Sequence, residues 1–341
     1  MKEIIIVANS THGGGAENSM MLLHSEFNNS GFKSTYFALN QMNDGLDRDD
    51  PDVVHIGRSW SDGLSKTLKY LKVFKENINF REPNVIIVNC ELAELFLAIS
   101  KIGTAKIVIV EHTSQPWAGR RWLGVFVRVI LKFKSVTWVT VNSQALRVWP
   151  LFSSATYIPN PISRVKQGTL VTKVRSGVFV GRLRKEKCPG MAIQASIDAG
   201  VPINVIGDGN LAESLMVQYG KSDSVKFLGY LNNPWACISP ESIVVVPSEY
   251  EGDGIVVLEA IQNGNPILLR DIADLRRFNL NDENYFKNQN QLTVKLKEYR
   301  ENPSLFTIPN SEQDRILANR DIRAIEKQWS VLIDELFEGE R

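Results

Sequence analysis

Glu251 and Glu259 are separated by seven residues in the run Ser248-Glu-Tyr-Glu-Gly-Asp-Gly-Ile-Val-Val-Leu-Glu-Ala260. The apolar stretch Ile243 to Val246 precedes them, and a helix is expected to begin near Gly254. Glu251 then lies in the loop before the helix and Glu259 more than one turn inside it. At ~1.5 Å per helical residue, the carboxylates stand roughly 7 Å apart along the axis. That spacing suits two parts of one elongated ligand. The glycines around Asp253 allow close backbone approach. The free N–H groups at Gly254 and Ile255 can hold a phosphate. A capped helix with incidental acids gives the same pattern, because Glu is favourable near a helix N-terminus.

Cations recur at a second strand end, in Val180-Gly-Arg-Leu-Arg-Lys-Glu-Lys187 followed by Pro189-Gly190. Arg182 closes a strand and Lys187 comes just before a helix. A diphosphate leaving group gains negative charge as its bond to carbon breaks, and two fixed cations stabilise that charge without a metal. Lys185 reads as a solvated member of the same loop. Gly207-Asp208-Gly209 follows the strand Ile203 to Ile206, and Gly13-Gly14-Gly15-Ala16-Glu17 follows the first strand. Either turn can serve tight packing alone or approach a ligand. Glu111-His112-Thr113 puts a histidine directly after the strand Ile107 to Val110. His55, also at a strand end, is a weaker acceptor-side candidate, His24 reads as structural, and His12 lies close to the first loop. No histidine cluster or cysteine pair has metal-ligand spacing.

The pair of glutamates, with Ser before and Ala after, resembles the signature of retaining glycosyltransferases of the GT-B fold, glycosyltransferase family 4 (glycosyl transferases group 1). The resemblance implies an α/β GT-B architecture, two Rossmann-like doubly wound parallel-sheet domains facing across a cleft. It implies that Glu251 contacts the donor sugar and Glu259 the nucleotide ribose, with Arg182 and Lys187 clamping the diphosphate. It puts Gly207 near the nucleotide and Leu231, after Phe227-Leu-Gly-Tyr230, beside the base. Asp253, Gly254 and Ile255 would complete the donor side; the family usually carries an aromatic residue where this chain has Asp253. Gly14 and Gly15 match the family's first loop near the donor phosphates and acceptor, and His112 matches a histidine near the donor sugar. A UDP- or GDP-sugar donor, a glycan or lipid-linked acceptor, no cofactor and no required metal follow from the same resemblance, as does a place in bacterial surface polysaccharide assembly.

These residues need a scaffold of strands whose carboxyl ends converge. Short apolar runs at 4–8, 53–56, 85–88, 107–110 and 136–141 alternate with helical patterns at 17–27, 64–74 and 92–99. The alternation restarts with strands at 178–180, 203–206, 225–228, 243–246 and 267–269 and helices at 189–199 and 211–219, and ends in a helical segment of roughly 312–337. Strands alternating with helices predict parallel sheets covered on both faces. The expected domains are 1–162, with a helix of about 318–341 packing back on it, a linker over 163–175, and a donor domain over 176–317. Ile158-Pro-Asn-Pro161 marks the break.

The chain has 341 residues and a formal net charge of +1, so no global field favours nucleic acid. Three scattered cysteines suit a reducing compartment. Neither a secretory leader nor a spanning segment is legible, so a cytoplasmic protein is expected. One stretch qualifies this. In Arg120 to Lys134, Arg121, Arg128 and Lys132 share a helical stripe beside Trp122, Phe126 and Ile130. That helix either lies peripherally on an anionic membrane or packs on the sheet with its arginines at the cleft rim. Two further classes stay open beside transfer. A nucleotide-sugar epimerase would need no acceptor, and a catalytically silent membrane-bound partner would turn over no donor.

Overall fold

The structure, a computed structural model, describes residues 2–40, 50–59, 64–163 and 175–338. The chain divides into two compact units, Met1–Pro161 with Asn319–Arg341, and Ile162–Ala318. The linker expected over 163–175 lies almost wholly outside the described residues.

The first unit runs β1 (Glu3–Ala8), α1 (Gly15–Asn29), β2 (Lys33–Asn40), β3 (Val53–Arg58), α2 (Leu64–Arg81), β4 (Val85–Val88), α3 (Glu91–Ala98), β5 (Lys106–Glu111), α4 (Arg121–Lys132) and β6 (Val136–Thr140). A hairpin of two-residue strands, β7 (Arg147–Val148) and β8 (Ser153–Ser154), follows, and then β9 (Thr156–Tyr157). The sheet order is β3-β2-β1-β4-β5-β6-β9, with every pairing parallel. Along β1, Ile5 and Val7 face a core shared with Phe74 of α2, Phe96 of α3 and Leu131 of α4. Ile4 and Ile6 face the opposite core, with Met20 and Phe27 of α1. Burial on both faces is why the parallel strands read as unbroken apolar runs. β2 is the exception that the sequence pattern does not reveal. Its buried Ser34 donates or accepts at His24 Nδ1 (2.9 Å) and bonds through its N–H to Asn28 Oδ1, so polar residues sit inside a central strand and interrupt the run.

The second unit runs β10 (Gly177–Val180), α5 (Pro189–Ala199), β11 (Ile203–Ile206), α6 (Ala212–Tyr219), β12 (Val225–Gly229), β13 (Ile243–Val246), α7 (Ile255–Gln262), β14 (Ile267–Arg270), α8 (Ala273–Arg276), β15 (Tyr285–Phe286), α9 (Gln289–Glu301) and α10 (Asn310–Leu317). Its parallel order is β12-β11-β10-β13-β14-β15. Ala192 of α5, Leu215 of α6 and Leu296 of α9 cover one face, and Leu258 and Ile261 of α7 the other.

The single C-terminal helix expected over about 312–337 is two helices, α10 and α11 (Ile322–Glu338). Asn319, at φ +62°, stops the first in the left-handed conformation that Asn tolerates. Asp321 Oδ1 accepts the N–H groups of Arg323 and Ala324 and so starts the second. Apolar spacing continues through the break, which hides it from periodicity. Trp329 and Ile333 of α11 pack into the core beside α1.

Strand order reverses between β1 and β4 in the first sheet and between β10 and β13 in the second. Loops leaving the carboxyl ends there diverge and open a crevice.

Candidate functional site

In the second unit, the loops after β10 and β13 meet at this reversal. The N–H of Glu249 donates to the carbonyl of Glu186 (2.8 Å), joining them through backbone. Lys187 Nζ donates to Glu251 Oε1 at 2.6 Å, and Ser248 Oγ donates to the same oxygen at 2.7 Å. The backbone N–H of Glu251 donates to Asp274 Oδ2. Glu251 is buried, its carboxylate held by Lys187 and Ser248 and its backbone by Asp274, so it has few alternative orientations. Arg182 is exposed at the mouth of the same loop. Its charge acts on Tyr250, whose hydroxyl pKa is raised by burial and by Glu186 and eased back by Arg182. The arrangement holds one carboxylate and two cations at one crevice, a site suited to a ligand bearing both hydroxyls and a diphosphate.

Glu259 lies within α7, and Trp235 Nε1 donates to its Oε2 at 3.0 Å. Burial raises its pKa from 4.5 to about 7, against the opposing pull of that hydrogen bond. A carboxyl group placed this way can accept from paired hydroxyls. Trp235 has no motif around it and lies 24 positions before Glu259, so only the tertiary structure reveals the pair.

Asp253 turns into the unit. Its side chain and that of Arg277 form a buried ion pair (3.0 Å), and Arg277 also donates to the Asp253 carbonyl. The acid that stands where an aromatic residue is usual therefore anchors the loop, and Asp253, expected on the donor side, has its carboxylate paired with Arg277. Gly254 adopts φ +61° as the residue before α7, and a Cβ there would lie 3.2 Å from the Phe278 ring. No side chain caps α7; the N–H groups of Val257 and Leu258 turn back to the Gly254 carbonyl, leaving those of Ile255 and Val256 at the helix start to external acceptors.

Gly207 has a packing reason of its own. At φ +134°, an added Cβ would meet the Gly181 carbonyl oxygen at 2.0 Å. The Gly207 turn and the Arg182 loop thus run backbone against backbone, with Leu183 N–H donating to the Asp208 carbonyl. Leu231, half-buried after β12, packs at the edge of the core beneath β13.

In the first unit, Gly14 and Gly15 begin α1, which also lacks a side-chain cap. A Cβ on Gly14 would come 2.4 Å from Glu17 Oε2. His112 is half-buried immediately after β5. The neighbouring Glu111 takes part in a buried network: Arg128 Nη1 lies 2.7 Å from Glu111 Oε2 and 2.8 Å from the Trp149 carbonyl, while Nε and Nη2 grip both oxygens of Glu94. Trp117 Nε1 also donates to Glu94. Burial raises the pKa of Glu111 and Arg128 lowers it in turn. His24 is buried with its pKa lowered by burial, consistent with a structural part; His12 is buried against Thr11, and His55 is exposed on β3.

The stripe Arg121, Arg128, Lys132 does not act as one surface. Arg128 is 1% exposed and serves the interior, whereas Arg121 and Lys132 face solvent. Among the described residues no helix is long and apolar enough to cross a membrane. Also among them, no group of three or more His, Cys, Asp or Glu side chains is placed to hold a metal ion.

Residues 164–305 match the family model described as glycosyl transferases group 1. An uncharacterized glycosyltransferase of Methanocaldococcus jannaschii is 32% identical over 107 residues, 29% of this chain. The chain spans only 27% of that relative's length. A sucrose-phosphate synthase of Thermosynechococcus elongatus superposes with a TM-score of 0.78 at 18% identity, covering 100% of both chains. HepE of Anabaena, solved with UDP and glucose, gives 0.76 at 16%, over 98% of this chain and 100% of its own. The chain has the GT-B fold of these glycosyltransferases, built from two parallel-sheet α/β domains.

Proposed function

We propose that this GT-B chain is a retaining glycosyltransferase that moves a sugar from a nucleoside diphosphate donor to a glycan or lipid-linked glycan. The observation that carries the reading is the 2.6 Å pair between Lys187 and Glu251 at the β10/β13 reversal, beside exposed Arg182 and the uncapped start of α7. The match of residues 164–305 to glycosyl transferases group 1 covers this whole cluster. HepE, bound to UDP and glucose, favours a uridine nucleotide.

In this reading Arg182 and Lys187 neutralise the diphosphate, with the N–H groups of Gly254 and Ile255 adding dipoles. Glu259 accepts from the ribose hydroxyls, Leu231 borders the base, and Glu251 orients the donor sugar. Gly14, Gly15 and His112 belong to the first unit and serve acceptor and sugar there. The bond from the anomeric carbon to the diphosphate oxygen breaks as the acceptor oxygen bonds to the same face of that carbon. The acceptor proton passes to a leaving phosphate oxygen. The two cations stabilise the departing charge without a metal or cofactor. The setting is the cytoplasmic face of a membrane where surface polysaccharide is assembled, with peripheral contact through Arg120–Lys134.

The deciding experiment is a thermal-shift series with UDP, GDP, ADP, TDP and their sugar conjugates, using Glu259→Ala as control. Selective stabilisation by one nucleotide, lost in the variant, is expected. A folded wild type that responds to none of them would overturn the reading.

A further inference from the structure

The sequence from 112 to 185 contains no Asp or Glu, although the whole chain is close to neutral. Within that acid-free stretch lies α4, whose two sides differ sharply. Gly124, Val127, Arg128 and Leu131 are buried. On the opposite stripe, Trp122 is 89% exposed, Phe126 63%, and Phe133 86%, with Val129 between them. These positions recur at three- and four-residue steps, so they form one continuous apolar ridge. Exposed Arg121 and Lys132 flank it, and exposed Arg120 precedes it.

A second segment continues the same chemistry. The β7–β8 hairpin carries Phe152, 72% exposed, at its turn, with Arg147 exposed at its start. Between α4 and this hairpin is a cavity of about 410 Å³, lined among others by Lys132, Ser135, Thr137, Ser153, Ser154 and Thr156. Phe133 and Phe152 adjoin lining residues from its two sides in sequence. The cavity meets the start of β6, away from the carboxyl strand ends that carry His112.

We infer that this face docks on an anionic bilayer, with the Trp122–Phe126–Phe133 ridge and Phe152 entering the interface and the Lys132 cavity receiving a phospholipid headgroup. The proposal deepens the peripheral contact proposed above and rests on it for its setting. Aromatic side chains favour the headgroup level, and each nearby cation adds attraction to anionic lipid. The absence of acids over the whole stretch removes repulsion from the bilayer charge.

Vesicle co-sedimentation tests it, using phosphatidylcholine alone and phosphatidylcholine with a third replaced by phosphatidylglycerol. The wild type is expected to bind the anionic vesicles at least about tenfold more tightly than neutral ones. Trp122→Ser/Phe126→Ser/Phe133→Ser should abolish binding, and Lys132→Gln should weaken it about fivefold. Val217→Ser, at an exposed apolar position on α6, should leave it unchanged. Equal binding to both vesicles, or a ridge variant that binds like wild type, overturns the proposal. Nucleotide thermal shifts on the same proteins separate the two readings. Wild type that shifts with nucleotide but ignores vesicles refutes docking alone; wild type that binds vesicles without any nucleotide shift refutes transfer alone.

Discussion

Lys187 and Glu251, 64 residues apart in sequence, meet at 2.6 Å and tie together the two loops that leave β10 and β13. The pair neutralises itself before any ligand arrives. In the proposed reading, a diphosphate that recruits Lys187 also releases Glu251 toward the sugar, although Ser248 and Asp274 still hold its loop.

Lys187→Met should lower the transfer rate by about a hundredfold or more, because one of two fixed cations is lost from the leaving group. Glu251→Gln should keep the Ser248 contact and the fold while reducing turnover. Initial rates with saturating donor, beside melting curves, check both.

Glu259 should give the protein a defined pH signature. Its pKa rises on folding from 4.5 to about 7, so the folded state holds a proton that the unfolded chain has released. This contribution to stability is complete below 4.5 and is lost as pH climbs to about 7. Glu259→Gln should therefore gain on wild type across that interval, by about 1–2 kcal/mol given the residue's partial exposure, and run parallel above it. Denaturant midpoints between pH 4 and 8 measure the difference. Nucleotide affinity should move the opposite way, strengthening as the carboxylate forms. Trp235→Phe removes the one hydrogen bond that opposes the shift and should push the transition to higher pH.

Arg128→Met should destabilise the first unit by about 3–5 kcal/mol, since it strands Glu94 and Glu111 in the interior. Adding Glu94→Gln should recover part of that loss. Chemical denaturation of the single and double variants tests the coupling.

Gly207→Ala forces a methyl group into the Gly181 carbonyl and should cost several kcal/mol together with the nucleotide-induced thermal shift. Gly264→Ala is the control. Gly264 has φ +78° with nothing within 4 Å of an added Cβ, so only the backbone penalty of about 1 kcal/mol applies.

Much of the site is local in sequence, and that part is legible there. Glu251 and Glu259 share one loop and helix, and Arg182 and Lys187 share one turn, so their local spacing marks them as candidates and the family resemblance supplies their roles. Asp253 and Gly207 show where such reading stops. One looks like a ligand contact and is held by Arg277; the other looks like a nucleotide turn and is required by the Gly181 backbone. Arg128 shares a helical stripe with Arg121 and Lys132, yet two distant glutamates draw it inside. Trp235 carries no local signal.

The amino-acid sequence by itself determined the alternation of strands and helices, the two α/β domains and the strand ends that bear charge. These depend on hydrophobic periodicity and on residues a few positions apart. Tertiary structure alone decided which charges are satisfied internally and which face outward. It buried Arg128 and Asp253, bared the ridge of α4, and raised the pKa of Glu259. The reason is physical: desolvation and ion pairing depend on neighbours brought together by the sheet, and a linear pattern carries no record of those distances.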